Sequence, residues 1–306
     1  MGERILITGA SGLIGSHLVS ELKKDHDVVS LVHNQLRGRW LQKALDGTTV
    51  VQADIRDFNS LKHIMARYYV NQVVHCAAVA QVKSAFKDPL STYDINIMGV
   101  VAVLEAARQL DVERVLVMQT DKVYGEKLGA TVEDPYQPSE PYATSKICQG
   151  FIAWSYIDTY GMDIIIPHSC NTFGYDPFSN RIFPNTIKAC LRGEQPLIFT
   201  NDKSIREYIY VEDLVNALKQ LLLDPKLKPG PYNIATGWVQ NQEEIVKEVL
   251  KHFPSIRAEY KRVKLPHQIQ EQTMKMTKWN WKPDWNFNDA VERTITLFEH
   301  YKEDWK

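Results

Sequence analysis

The sequence predicts an α/β protein, a Rossmann-type doubly wound parallel sheet with a smaller C-terminal substrate-binding lobe. Three features carry that expectation. Gly9-Ala-Ser-Gly12-Leu-Ile-Gly15 stands between an apolar, β-prone run and a helically spaced one. Glycines so placed allow a tight turn and a close backbone approach to a pyrophosphate at a helix N-terminus. Short β-branched runs then alternate with helical stretches, which is the pattern of a parallel sheet. Thr120, Asp121 and Lys122 follow the fifth such run, and Tyr142 and Lys146 share one face of the next helix. Open α/β sheets hold their ligands at such strand ends.

Taken in order, Arg4-Ile-Leu-Ile-Thr8 is the first strand, and the turn after it offers Gly9, Ser11, Gly12, Leu13, Ile14 and Gly15 to a dinucleotide. Asp27-Val-Val-Ser-Leu-Val32 is the second strand. His33 and Asn34 stand at its end, with Arg37 and Arg39 close behind. No acid is there to repel a ribose 2′-phosphate, and two cations are available to bind one. The cofactor expected is therefore NAD(P), with NADP slightly favoured; the alternative is a plain solvated loop. The third strand, 49–53, ends in Asp54-Ile55, where Asp54 either accepts from an adenine amine or caps the next helix. The fourth, 72–78, finishes in Ala77 and Ala78, small enough for a cofactor to pass closely. Asn96 lies inside an apolar helix and needs a partner, expected in the backbone near the cofactor turn. The fifth strand is 114–118 and the sixth 162–166. From His168 the pattern loosens into an ordered loop, a helix to Arg192, a run 204–213 leading into a helix through Leu223, a late strand at 229–235, and amphipathic helices at 243–253 and 288–301. Residues 1–167 and 205–235 are assigned to the cofactor domain, and 168–204 and 236–306 to the substrate lobe. Trp279, Trp281 and Trp285 are expected to pack rather than stack on ligand.

Bulk composition narrows the function. The chain has 306 residues with 36 Lys+Arg against 37 Asp+Glu, a net charge of −1. That balance gives no general attraction for nucleic acid or membrane, so an anionic ligand must be held by local groups. Cys76, Cys148, Cys170 and Cys190 show no C-x-x-C spacing and no His pairing. They read as reduced thiols of a cytoplasmic protein, with no metal site. No leader, myristoylation signal or transmembrane run is expected.

The chemistry-bearing residues are Thr120, Asp121, Lys122, Tyr142 and Lys146. An ammonium beside a phenol favours phenolate, which brings a Tyr pKa down from about 10. The phenolate takes a proton from an alcohol while a cofactor takes the hydride, and the Thr hydroxyl holds the same alcohol.

These residues stand within a longer set: T-G-x-x-G-x-x-G at 8–15, H-x-A-A at 75–78, N-x-x-G at 96–99, Thr120, Y-x-x-x-K at 142–146, N-x-x-G at 171–174 and R-E-Y-x-Y-V-E-D at 206–213. The set resembles an extended short-chain dehydrogenase/reductase of the nucleotide-sugar epimerase/dehydratase type. The resemblance implies an NAD(P)-dependent enzyme acting on a nucleotide-diphosphate sugar. It adds Ser169 to the cofactor residues and assigns Lys83, Asn171, Arg181 and Arg206 to the substrate. Asp121-Lys122 is similar to the Asp-Lys pair of CDP-glucose 4,6-dehydratases, as are 180–184, 266–268 and 281–285. Lys83 stands where that group carries Arg, and 206–210 looks more like the epimerase version.

The resemblance implies dehydration: C4 oxidation through Tyr142, removal of the C5 proton by a neutral Lys122, and donation to the departing 6-hydroxyl by a protonated Asp121. Burial is expected to raise Asp121 and depress Lys122. A 4-epimerase needs Tyr142 and Lys146 but neither Asp121 nor Lys122. An NADPH-dependent ketosugar reductase and a non-enzymatic cofactor sensor are the other readings. A homodimer is also implied, through Val100, Val101, Val103 and Leu104 on one helix and Phe151, Trp154 and Ile157 on another, although these residues serve equally well as core.

Overall fold

Every apolar run expected to be a strand in the first half of the chain is one, and all of them pair in parallel. The computed structural model describes residues 3–34, 38–262 and 271–306. β1 (Arg4–Thr8) runs into α1 (Leu13–Leu22), β2 (Asp27–Val32) into α2 (Arg39–Leu45), and β3 (Thr49–Gln52) into α3 (Phe58–Arg67). After β4 (Gln72–His75) come α4 (Val82–Lys87), α5 (Pro89–Tyr93), one wider turn over Asp94–Met98, and α6 (Gly99–Gln109). β5 (Arg114–Val117) and β6 (Gln119–Thr120) lead through a tight turn, Asp121–Tyr124, to β7 (Lys127–Ala130) and α7 (Pro141–Tyr160). β8 (Ile164–Ser169), β9 (Asn171–Phe173), α8 (Ile182–Leu191), β10 (Leu197–Phe199), β11 (Ile205–Tyr210) and α9 (Val211–Leu223) follow. β12 (Gly230–Ile234), β13 (Trp238–Asn241), α10 (Gln242–Leu250), β14 (Glu259–Lys261), β15 (Glu271–Met274) and α11 (Phe287–His300) end the described elements.

The main sheet has the order β3-β2-β1-β4-β5-β8-β12, with β6 paired to β8. The chain therefore winds outward twice, from β1 to β3 and from β4 to β12. The switch between β1 and β4 opens a crevice beyond their carboxyl ends, where such sheets take ligands. One core cluster lies on each face: α1 and α9 cover the side of Ile5 and Ile7, while α3 and α6 cover the side of Leu6 and Val73. A second sheet, β13-β11-β15-β7 with β9 on β11, stands beside the first. It is mixed, since β11 runs antiparallel to β13 and parallel to β9 and β15.

Several sequence expectations shift here. The sixth strand starts at Ile164 and continues to Ser169, because Pro167, His168 and Ser169 are held by parallel pairing to Tyr232, Asn233 and Ile234. The second sheet had no periodic signature of its own; its strands are only three to six residues long and take their partners from distant parts of the chain. β11 belongs to that sheet, whereas α9 and β12 belong with the main one. Trp279 and Trp281 stack with centroids 5.7 Å apart, and Trp285 meets Tyr210 edge-on at 5.1 Å, so the tail tryptophans are packing residues. Pro89–Gln109 has the length and apolarity of a membrane span, but Val100, Val103, Leu104 and Ala107 are fully buried in the protein's own core. Of the residues considered for a dimer face, Phe151 and Trp154 stay at the surface.

Burial of three imidazoles sets the acid limit of stability. Burial pushes His17 down to about 4, and His75 and His168 down to about 3. The unfolded chain therefore binds protons below about pH 6.5 that the folded chain refuses until near pH 3–4. The histidines' contribution is complete above pH 6.5 and is lost as pH falls. Burial raises Asp213 to about 6, which works the other way and offsets roughly one of them. For these four groups the unfolded state holds an excess of roughly two protons near pH 5, a slope of about 3 kcal/mol per pH unit, which the raised carboxyls of Asp121, Asp176 and Glu207 reduce. Calorimetric melts should show Tm falling steeply from pH 6.5 to pH 4.5. A flat Tm over that range would mean that at least one of these imidazoles titrates in the folded protein.

Candidate active site

The site is built on the crevice from its cofactor end. Gly9 has φ +70°, and a Cβ there would lie 2.8 Å from the Ala77 amide nitrogen. A Cβ on Gly15 would lie 2.2 Å from the Gly9 carbonyl oxygen. At Gly9 the β1 turn thus approaches the end of β4 so closely that only glycine fits. Thr8 Oγ1 lies 2.9 Å from His75 Nδ1 and accepts from Ala77 N at 3.2 Å, which fixes the two strand ends together. Gly12 caps α1 without a side-chain bond, so the first-turn N–H groups of Leu13, Ile14 and Gly15 keep the free donors of a helix N-terminus. A glycine cradle with unclaimed donors fits a dinucleotide pyrophosphate. Gly15→Ala should weaken dinucleotide binding at least about tenfold by calorimetry, because the new methyl forces the turn apart. Unchanged affinity would remove the turn from the binding site.

The remaining cofactor candidates divide. His33 and Asn34 are exposed beyond β2, and Arg37 lies outside the described residues. Asp54 is ion-paired with Arg56, whose guanidinium reaches on to Asp94; the Arg56 contact holds Asp54 down at about 2. The cap of α3 is Asp57, which accepts from Ser60 N at 3.0 Å, so Asp54 does not serve there. Ile55 is buried, Ala77 and Ala78 are half-buried, and Ser169 is buried at the end of β8. Asn96 does not reach the glycine turn. Its Oδ1 accepts from Val79 N at 2.7 Å, and its Nδ2 donates to Ser145 Oγ at 2.9 Å. It ties the loop after β4 to α7 between Tyr142 and Lys146.

Around Tyr142 and Lys146, Glu140 caps α7 by accepting from Tyr142 N and Ala143 N. Lys146 is buried; its ammonium donates to the Met118 carbonyl at 2.8 Å and to Gln149 Oε1 at 2.7 Å. Gln149 Nε2 in turn donates to the Asn96 carbonyl at 2.7 Å. Sequence reading missed Gln149, whose only signal is its place one turn beyond Lys146. Burial lowers Lys146 to about 8.

The Tyr142 phenol moves opposite to the sequence expectation. Burial pushes it up to about 12, against the lowering effects of Arg181 and of its hydrogen bond with Thr120. The sequence argument counted the nearby ammonium and left out desolvation, which is the largest influence on the folded phenol. Asp121 follows expectation: it is buried and raised, chiefly by desolvation. Its Oδ1 accepts from Thr120 Oγ1 at 3.0 Å, while Oδ2 is buried with no protein partner. Lys122 is lowered, again chiefly by burial. The pair therefore leans toward carboxylic acid and free amine.

Arg206 is buried at the start of β11, its Nη1 donating to the Ile205 carbonyl at 2.9 Å. Arg181 is exposed and reaches the Ala80 carbonyl at 3.4 Å. Its charge, like that of Arg206, bears on Lys122. Asn171 Nδ2 donates to the Glu207 carbonyl at 3.1 Å, and Lys83 is exposed on α4. No cluster able to hold a metal occurs among the described residues.

A family profile described as the NAD dependent epimerase/dehydratase family matches residues 5–235. The chain belongs to that family. Several similar proteins align over almost its whole length. The low-salt glycan biosynthesis protein Agl12 of Haloferax volcanii is 29% identical, over 96% of this chain and 98% of its own. The mouse dTDP-D-glucose 4,6-dehydratase is 25% identical, over 99% and 91%. A putative UDP-glucose 4-epimerase of Methanocaldococcus jannaschii is 28% identical, over 97% and 98%. The Thermus thermophilus UDP-glucose 4-epimerase, solved with NAD, superposes with TM-score 0.89 at 26% identity, over 97% and 99%. Family membership and fold thus agree with the alternation and motifs of the sequence.

Proposed function

We propose that this chain is a nucleotide-sugar 4,6-dehydratase that converts a CDP-glucose-like NDP-hexose to the 4-keto-6-deoxy sugar. One observation carries the reading. Asp121 and Lys122, adjoining the Thr120–Tyr142 pair, are both displaced toward their neutral forms, and Asp121 Oδ2 is left without a protein partner. An exposed surface ion pair would have neither property. The similarity to dTDP-D-glucose 4,6-dehydratases is consistent with it. A second reading, NDP-sugar 4-epimerisation, draws on the similarity to a putative 4-epimerase.

Thr120 holds the sugar 4-hydroxyl, and Tyr142 takes its proton. The Gly9–Gly15 turn would hold a nicotinamide dinucleotide, which when bound would supply the hydride acceptor and donor that C4 oxidation and C6 reduction require. With C4 a ketone, the C5 proton becomes acidic. Lys122, uncharged, removes it, and Asp121, protonated, donates to the leaving 6-hydroxyl so that water departs. Lys122 returns its proton to C5. The proton gained by Tyr142 equals the one lost by Asp121, and the net change is loss of one water. Asn171 and Arg206 hold the diphosphate, as a near-neutral protein requires, and Lys83 and Arg181 are the other substrate-binding residues. Phe151 and Trp154 belong to the homodimer face.

Purified protein incubated with CDP-, UDP-, GDP- and dTDP-hexoses and read by mass spectrometry tests this. A product lighter by one water, most rapidly from CDP-glucose, is expected. Conversion without mass change would replace dehydration by epimerisation.

A further inference from the structure

We infer that Gln149 is a positioning residue for Lys146: its buried side-chain amide clamps the lysine to the Asn96 carbonyl and fixes the direction of the ammonium's remaining N–H. The inference rests on the dehydratase reading, in which Tyr142 takes the sugar's proton and the Lys146 ammonium supports the phenolate. Tyr142, Lys146 and Gln149 follow one another at helical spacing and form one stripe along α7. Lys146 Nζ donates to Gln149 Oε1 at 2.7 Å and to the carbonyl of Met118, just beyond β5, at 2.8 Å. Gln149 Nε2 donates to the Asn96 carbonyl at 2.7 Å, and the whole side chain is shut away from water. Asn96 lies in the wider turn before α6, a place where a neighbouring side chain can reach a helix carbonyl. The Asn96 side chain holds α7 a second time, through Ser145 Oγ, which donates onward to the Tyr142 carbonyl at 2.7 Å. Asn96 thus grips α7 on both sides of Lys146.

The orientation of the amide follows from its partners. A carbonyl only accepts, so Asn96 must receive Nε2, and Oε1 is left to face the ammonium. An ammonium has three donors and no acceptor. Met118 and Gln149 claim two of them, and the third has no acceptor among the described residues. Two fixed acceptors leave a tetrahedral ammonium one direction for that third donor. The charge also has no carboxylate paired with it among the described residues. The titratable groups that bear on it are His75, at the end of β4, and Cys76 after it. Burial keeps both neutral, with His75 down at about 3 and Cys76 up at about 12. Burial lowers Lys146 itself to about 8. Near neutrality the ammonium therefore depends on the dipoles of one backbone carbonyl and one side-chain amide, and only the amide can be removed by substitution.

Titration of Lys146 in the full chain tests the proposal, followed by NMR of lysines labelled at Cε, with the Lys146 signal identified by its loss in Lys146→Met. The wild-type midpoint should lie near 8. Gln149→Leu removes both hydrogen bonds at similar volume and should lower the midpoint by at least about one pH unit, because the charged form loses an acceptor. Gln149→Glu keeps an acceptor and should hold the midpoint at or above its wild-type position. With the NDP-hexose that the wild type turns over, kcat should fall at least about tenfold in Gln149→Leu while KM stays within about threefold, and Gln149→Glu should recover most of the loss. Gln149→Met, which offers only a weak acceptor, replaces the leucine variant if that one does not fold. A midpoint unmoved in the folded leucine or methionine variant would overturn the assignment. So would an equal displacement in Gln149→Glu, which would mark lost packing, and so would undiminished kcat in Gln149→Leu. The titration needs neither sugar nor cofactor, so a wild type without turnover would strike the dehydratase reading while the midpoints still decide the role of Gln149.

Discussion

Asp121→Asn should abolish release of the 4-keto-6-deoxy product, and so should Lys122→Met, while both proteins still fold and bind cofactor. The reason lies in what each side chain must carry. An amide at 121 keeps the size of the carboxyl and still accepts from Thr120, but it has no proton to give a leaving hydroxyl. A thioether at 122 fills the stem's volume and cannot take the C5 proton. Positioned acid or base groups are worth about 10²–10⁴ in rate, and here both act on a poor leaving group. Isotope exchange separates the two variants. In D2O, Asp121→Asn should still wash deuterium into C5, whereas Lys122→Met should not. The wild-type rate should be bell-shaped in pH, falling on the acid side as the lowered Lys122 is protonated and on the alkaline side as the raised Asp121 ionises. The two limbs belong to the pair rather than to either residue alone. Full turnover in either variant would remove the substituted residue from the mechanism.

Tyr142→Phe should cost about 10³-fold or more in turnover of every NDP-hexose, because it removes the base for the first step that all the enzymatic readings share. Sugar binding should change by no more than about threefold, since the ring remains and only one hydroxyl is lost. The pH dependence has a definite sign. In the folded protein the phenol lies up at about 12, so the fraction of phenolate grows as pH rises through the neutral range. The value of kcat/KM should climb accordingly until another group intervenes, and a positive charge brought by bound cofactor shifts the climb to lower pH. Lys146, at about 8 through burial, is increasingly the ammonium as pH falls below that value, and that charge favours the phenolate. Persistence of substantial activity in Tyr142→Phe would transfer the proton to a group not yet named, with Thr120 the nearest hydroxyl to test.

The local features of the sequence determined a good deal about this protein. Strand and helix period are properties of neighbouring residues, so β1 to β5, their helices and the parallel sheet were legible. The glycine spacing at 9–15 and the Tyr142–Lys146 pair were legible for the same reason: each acts within one turn of its own chain. Asp121 and Lys122 were located by their place at a strand end, and the sign of their displacement followed from burial alone. The rest depended on what arrives from elsewhere in the chain. Only the fold decided that desolvation dominates at Tyr142, that Asn96 is spent on Val79 and Ser145, and that Lys146 donates hydrogen bonds to Met118 and Gln149. The second sheet belongs to the same class, since its short strands gain stability only from partners far away in sequence. So does the Asp304 carboxylate, which reaches the first amides of α2 from more than 260 residues away. Hydrogen bonds and solvent exclusion depend on distance in space, and periodicity records only distance along the chain.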